Sequence, residues 1–115
     1  MIYRVRARFR TETAGVFLKK LTDGTIGRQI PDGSEIVASM KRAVVNDAGE
    51  VEWTELCFCA TPLAHERATI LDTHFDNITT EVVQAHTRYR GVPFMAHLKQ
   101  VAELDSEGKD SNKTK

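Results

Sequence analysis

Apolar and polar residues alternate from Tyr3 to Arg10 in Ile2-Tyr3-Arg4-Val5-Arg6-Ala7-Arg8-Phe9-Arg10. Successive strand residues face opposite ways, so Tyr3, Val5, Ala7 and Phe9 share one side and Arg4, Arg6, Arg8 and Arg10 the other. A helix would scatter those arginines around its circumference, so the alternation predicts a strand. One of its faces needs a core, and the other presents a row of guanidinium groups.

The period then lengthens. Within Ala14–Thr22, Ala14, Phe17, Leu18 and Leu21 fall on one face at helical spacing. Thr11 is placed to cap this helix, Glu12 suits its first turn, Lys19 and Lys20 suit its last, and Gly24 can end it. Residues 23–35 carry two Asp-Gly pairs and a proline and read as a loop, which Ile26 and Ile30 can pin to the core. Ile36–Val45 and Glu50–Ala60 are rich in β-branched and aromatic residues around the turn Asn46-Asp47-Ala48-Gly49, and predict a hairpin. Neither face of its second strand is apolar throughout, which predicts a bulge near Thr54–Glu55.

Thr61-Pro62 opens a second helix with Leu63, Ala64, Ile70, Leu71 and Phe75 as its buried stripe. Ile78–His86 reads as a last strand around Val82 and Val83, and Thr87–Gly91 as a basic connector. Pro93–Leu104 carries a third amphipathic stripe of Phe94, Met95, Leu98, Val101 and Ala102. It is expected either to cover the open sheet face or to pack on a second subunit. Residues 105–115 hold no large apolar side chain and are expected to form a disordered polar tail behind a single domain over 1–104.

Strand, helix, strand, strand, helix, strand resembles the split βαβ of ferredoxin-like sandwiches. The predicted fold is therefore α+β: a βαββαβ two-layer sandwich with a mainly antiparallel sheet and an added C-terminal helix. The resemblance implies a first strand between the third and fourth, where Glu50, Glu52, Glu55 and Glu81 would meet the arginines. It transfers no functional residue, because the same architecture hosts many activities.

Composition narrows the class. At 115 residues, 41% hydrophobic and 28% charged, the chain fits one globular domain. No stretch approaches the roughly 20 apolar residues that span a bilayer. The N-terminus lacks the apolar core of a secretory signal, so a cytoplasmic location with reduced cysteines is expected. The zero net charge is unevenly spread: residues 1–42 hold nine Lys/Arg against four Asp/Glu, and residues 43–83 hold one against eight. Such polarity suits either an interaction surface or two halves that neutralise each other.

The candidate chemistry is sparse. The arginine row can pair with glutamates in the sheet, form a dimer interface, or bind an anion or nucleic acid. RNA-recognition sheets stack bases on aromatics of the first and third strands. Here Tyr3 and Phe9 lie opposite the arginines, and the glycine–aromatic signature is missing from the third strand. Cys57-x-Cys59 puts two thiols on one face and reads as core packing. A zinc site would need a second ligand pair, and His65, His74, His86 and His97 are not spaced to supply one. Arg67 and His74 interrupt the second helix stripe and form a candidate pocket, with Glu55 or Glu81 as a partner for the arginine. No nucleophile accompanies them, and no catalytic residue, metal or cofactor is assigned. Tyr89 with Arg88 and Arg90 reads as a solvated connector. The expected function is a small interaction or regulatory domain with a protein partner or self-association as a homodimer. It is not expected to be a self-contained enzyme or to have a membrane partner. The alternatives are a nucleic-acid or phosphoanion binder through the arginines, and a small enzyme of the dimeric α+β sandwich type.

Overall fold

The alternation at the N-terminus becomes β1 (Ile2–Phe9), with Tyr3, Val5 and Ala7 buried on its core face. A 3-10 turn over Thr11–Thr13 leads into α1 (Ala14–Thr22), which buries Ala14, Phe17 and Leu21. Thr11 does not cap the helix. Instead Thr13 Oγ1 donates to the Arg10 carbonyl at 2.8 Å. The structure, a computed structural model, describes residues 1–113, and side-chain surroundings for residues 1–104. The expectation of disorder for 105–115 therefore falls outside the side chains described.

The largest departure from the predicted elements follows α1. Ile36–Val45 is not a hairpin strand: Gly33–Arg42 forms α2, and strand is confined to β2 (Val44–Val45). Ile36, Met40 and Ala43 are buried at i, i+4 and i+7, so one helical stripe fills the core despite two β-branched residues at its start. Glu35 in the first turn and Lys41 and Arg42 in the last suit the helix dipole. The preceding turns are pinned by Ile26, which is fully buried, whereas Ile30 points to solvent.

The turn at 46–49 forms as predicted, with Asn46 Oδ1 accepting the Ala48 and Glu50 amides and Gly49 at φ +79°. It leads to β3 (Val51–Leu56). Helical structure resumes at α3 (Ala64–Glu66), widens into a π-helical turn at Arg67–Leu71, and closes as α4 (Asp72–His74). Thr61-Pro62 lies before this helix rather than in it. β4 (Phe75–Val83), β5 (Val92–Pro93) and α5 (Phe94–Lys113) complete the chain.

The five strands form an antiparallel sheet in the order β4-β1-β3-β2-β5, which places the first strand between the third and fourth, as the element order suggested. The expected bulge in β3 is absent: its register with β1 is regular from Ile2↔Leu56 to Ala7↔Val51. The irregularity lies between β1 and β4, after Arg6, where Asn77 adopts φ +55°. The compact single domain has α1, α2 and α5 on one side of the sheet. Phe9, Phe17, Phe75 and Phe94 meet there with ring centroids 5.2–6.3 Å apart.

The other side is partly covered over β3, and α5 is not what covers it. Residues 84–91 cross it as a strap. His86 Nδ1 and the Thr87 amide both meet Thr54 Oγ1, at 2.9 and 3.2 Å, and the Tyr89 ring lies 4.8 Å from the Arg4 guanidinium. Glu52 and Thr54 are consequently buried although they face away from the helices. This is why β3 showed no apolar face in sequence: both of its faces are covered. Gly91 lets the strap close onto β2 at φ +154°, where a Cβ would run into the Val45 carbonyl. Gly91→Ala is expected to cost about 2 kcal/mol in denaturant unfolding by releasing β5. An unchanged midpoint would show that the strap carries no stability.

Candidate functional site

The arginine row divides under this register. Arg4 Nε donates to Glu52 Oε2 at 2.6 Å, and Glu81 stands 3.9 Å away. Arg10 reaches Asp76 Oδ1 from Nε and from Nη2 at 3.0 and 2.7 Å, and this hydrogen bonding draws the Asp76 carboxyl below its ordinary range. Arg6 and Arg8 make no ion pair among the described residues. Glu55, expected among the arginine partners, faces the helices instead. Arg8 and Arg10 border a cavity of about 390 Å³ with His97, and Asp76 and Glu12 share its wall.

The second pair, Arg67 and His74, does not converge. Arg67 turns outward and donates to Asp72 at 3.1 Å, not to Glu55 or Glu81. His74 turns inward, fully buried, stacked on Phe17 with centroids 4.3 Å apart. The wide π-helical turn between them buries Ile70 and Leu71 together and leaves Arg67 on the flank.

The most developed site lies elsewhere, where the end of β3, the start of α2 and the start of α3 meet. A cavity of about 450 Å³ opens between Pro31, Leu56, Phe58, Cys57 and Cys59, with Asp32, Glu35 and Glu66 as its acids. The volume is that of a small-molecule site. Two of the acids are already engaged. Glu35 accepts from Arg42 at 3.0 Å and from the Leu56 amide at 2.8 Å. Asp32 holds His65 Nδ1 at 2.8 Å. Glu66 is 1% exposed, and its buried Oε2 has no hydrogen-bond partner among the described residues. An unpaired buried carboxyl oxygen costs free energy that a ligand donor would recover.

The backbone around the thiols is equally specific. Leu63 is fully buried at φ +58°, a left-handed conformation unusual for leucine. The Leu63 N–H acts on the Cys57 thiol and the His65 N–H on the Cys59 thiol, while the Ala64 N–H donates to the Thr61 carbonyl at 3.1 Å. The His65 N–H first, then the neighbouring Cys57 thiol, draws the half-exposed Cys59 thiol below its ordinary range, whereas burial pushes the Cys57 thiol up.

No protein-family model, curated protein or solved structure matches this chain. Its function is therefore argued from its own geometry. Among the described residues no helix is long and apolar enough to cross a membrane, and no group of three or more His, Cys, Asp or Glu side chains is placed to hold a metal ion.

The residues that build the cavity were partly within reach of the sequence. Glu66 follows Leu63 by three and precedes Ile70 by four, so helical spacing already set it on the buried stripe. The approach of Asp32 and Glu35 to Leu56–Cys59 had no local signal, because it depends on where α2 packs.

Proposed function

We propose that this protein is a small cytoplasmic ligand-binding or regulatory domain that takes an organic ammonium ion with an apolar body into the cavity at Glu66. The reading rests on one observation, the unpartnered Glu66 oxygen inside a mainly apolar wall. Asp32 and Glu35 are held by His65 and Arg42, which leaves Glu66 as the anchor for the cation. Phe58, 86% exposed at the rim, offers an aromatic face to the same charge. The ferredoxin-like sandwich proposed as scaffold is supported by the order β4-β1-β3-β2 with antiparallel neighbours, β5 being an addition.

Amide NMR titrations with phenethylamine and with 3-phenylpropionate test this reading. The amine is expected to shift Asp32, Leu56–Cys59 and Glu66, the carboxylate is not, and Glu66→Gln is expected to weaken the amine at least about tenfold. Equal response to both compounds, or an unaffected Glu66→Gln, would sink the proposal.

A second reading, a phosphoanion or nucleic-acid contact, is favoured by Arg6 and Arg8 having no ion pair and by the cavity that Arg8 shares with Arg10 and His97. Arg4 is engaged by Glu52 and Tyr89, and the strap narrows the face, so this reading ranks below the first. A short RNA oligomer in the same titration separates them. Salt-sensitive shifts at Arg6, Arg8 and His97 with none at the Glu66 cavity would reverse the order.

A further inference from the structure

We infer that Cys57 and Cys59 form a redox-active dithiol that exchanges with low-molecular-weight disulfides entering the Glu66 cavity. This activity is separate from ammonium binding and stands or falls without it. The Cys59 amide donates to Cys57 Sγ at 3.3 Å, which ties the two residues together just beyond β3. Both line the cavity, but unequally: Cys57 is 4% exposed and Cys59 is half-exposed. An incoming disulfide therefore meets Cys59 first, with the more buried Cys57 lining the same cavity.

The His65 amide and the neighbouring Cys57 thiol favour a thiolate at Cys59, the attacking sulfur. Asp32 works against them, since its charge disfavours a thiolate at Cys59. Cys57, buried and held toward its protonated form, suits the resolving role.

The exchange balances as follows. The Cys59 thiolate, its proton lost to solvent, attacks one sulfur of the small disulfide. That S–S bond breaks, a mixed disulfide forms on Cys59, and one small thiolate leaves. Cys57 then gives up its proton and attacks the Cys59 sulfur, forming the Cys57–Cys59 bond and expelling the second small thiolate. The protein dithiol is oxidised by an electron pair, the small disulfide is reduced to its two thiols, and the two leaving thiolates take up the two protons.

The test treats reduced full-length protein with glutathione disulfide at neutral pH and follows it by intact-mass spectrometry. The wild type is expected to end as an intramolecular disulfide without a lasting glutathione adduct. Cys57→Ser is expected to stop at a glutathione adduct on Cys59, formed about tenfold faster than any adduct in Cys59→Ser. The wild-type product needs no substitution, so the inference stays testable if a variant folds poorly. A wild type that remains a dithiol while a free-cysteine peptide in the same tube reacts fully would overturn it. So would a Cys59→Ser variant that reacts as fast as Cys57→Ser. Phenethylamine is anchored at Glu66 and forms no bond to sulfur, so a failure of either proposal leaves the other readable.

Discussion

Replacing Glu55 with glutamine is expected to stabilise the protein by about 4 kcal/mol at pH 9 relative to the effect of the same change at pH 5. Glu55 is fully buried on the core face of β3, with Oε1 accepting the Trp53 indole N–H at 2.7 Å and Oε2 without a partner. Burial pushes its carboxyl up from 4.5 to about 8, against the pull of the Trp53 hydrogen bond and with nearby Glu35 adding to the rise. The folded state therefore holds a proton that the unfolded chain releases near 4.5. Stability tied to this group is complete below that pH and is lost as pH rises toward 8. Glutamine keeps the acceptor for Trp53 and cannot ionise. Urea unfolding of both proteins from pH 5 to pH 9 measures the effect, and parallel curves would show that Glu55 does not titrate in this range.

His74 acts in the opposite direction, with an expected loss of about 3 kcal/mol as pH falls from 6.5 to 4. Thr13 Oγ1 spends its single proton on the Arg10 carbonyl, so it can only accept from His74 Nδ1, 2.8 Å away. The buried imidazole is thus neutral with its proton on Nδ1, and Nε2 faces the core without a partner. Protonating Nε2 would bury an unpaired cation. Burial first, then Lys20 and Arg10, lowers the histidine from 6.5 to about 4. Here the unfolded chain takes up the proton first, so the stability is complete above 6.5 and is lost as pH falls through 4. His74→Phe removes the titrating group while keeping a ring against Phe17, and is expected to flatten this acid limb. An acid limb identical to that of the wild type would disprove the assignment.

Between pH 4.5 and 6.5 the two groups oppose each other, because Glu55 favours the lower pH and His74 the higher. The wild-type stability curve is therefore expected to be shallow there. Each slope emerges when the other group is replaced.

Much of the framework was legible because it is local. The Tyr3–Arg10 alternation, the Ala14–Leu21 stripe, the Asn46–Gly49 turn and the Phe94–Leu98 spacing each carry their own period. Where local signals disagreed with the structure, packing decided. Ile36, Val37, Val44 and Val45 suggested strand, yet only the helical spacing of Ile36, Met40 and Ala43 buries a continuous stripe against the sheet. Thr61-Pro62 resembled a helix start, but the left-handed Leu63 delays the helix to Ala64. Arg67 and His74 looked equivalent in a regular helix, and the π-helical turn separated them into a surface ion pair and a core histidine.

By itself the sequence determined a single α+β domain, the central place of its first strand and the two faces of that strand, since these follow from side-chain period and connection order. Tertiary structure alone decided which polar groups leave water. Glu55 and Glu66 are ordinary surface residue types, and Thr54 and Glu52 sit on a face that is open until residues 84–91 cross it. The cavity exists because α2, the end of β3 and the start of α3 meet from stretches dozens of residues apart. Burial of a charge, unlike the period of a strand, depends on what the rest of the chain places over it.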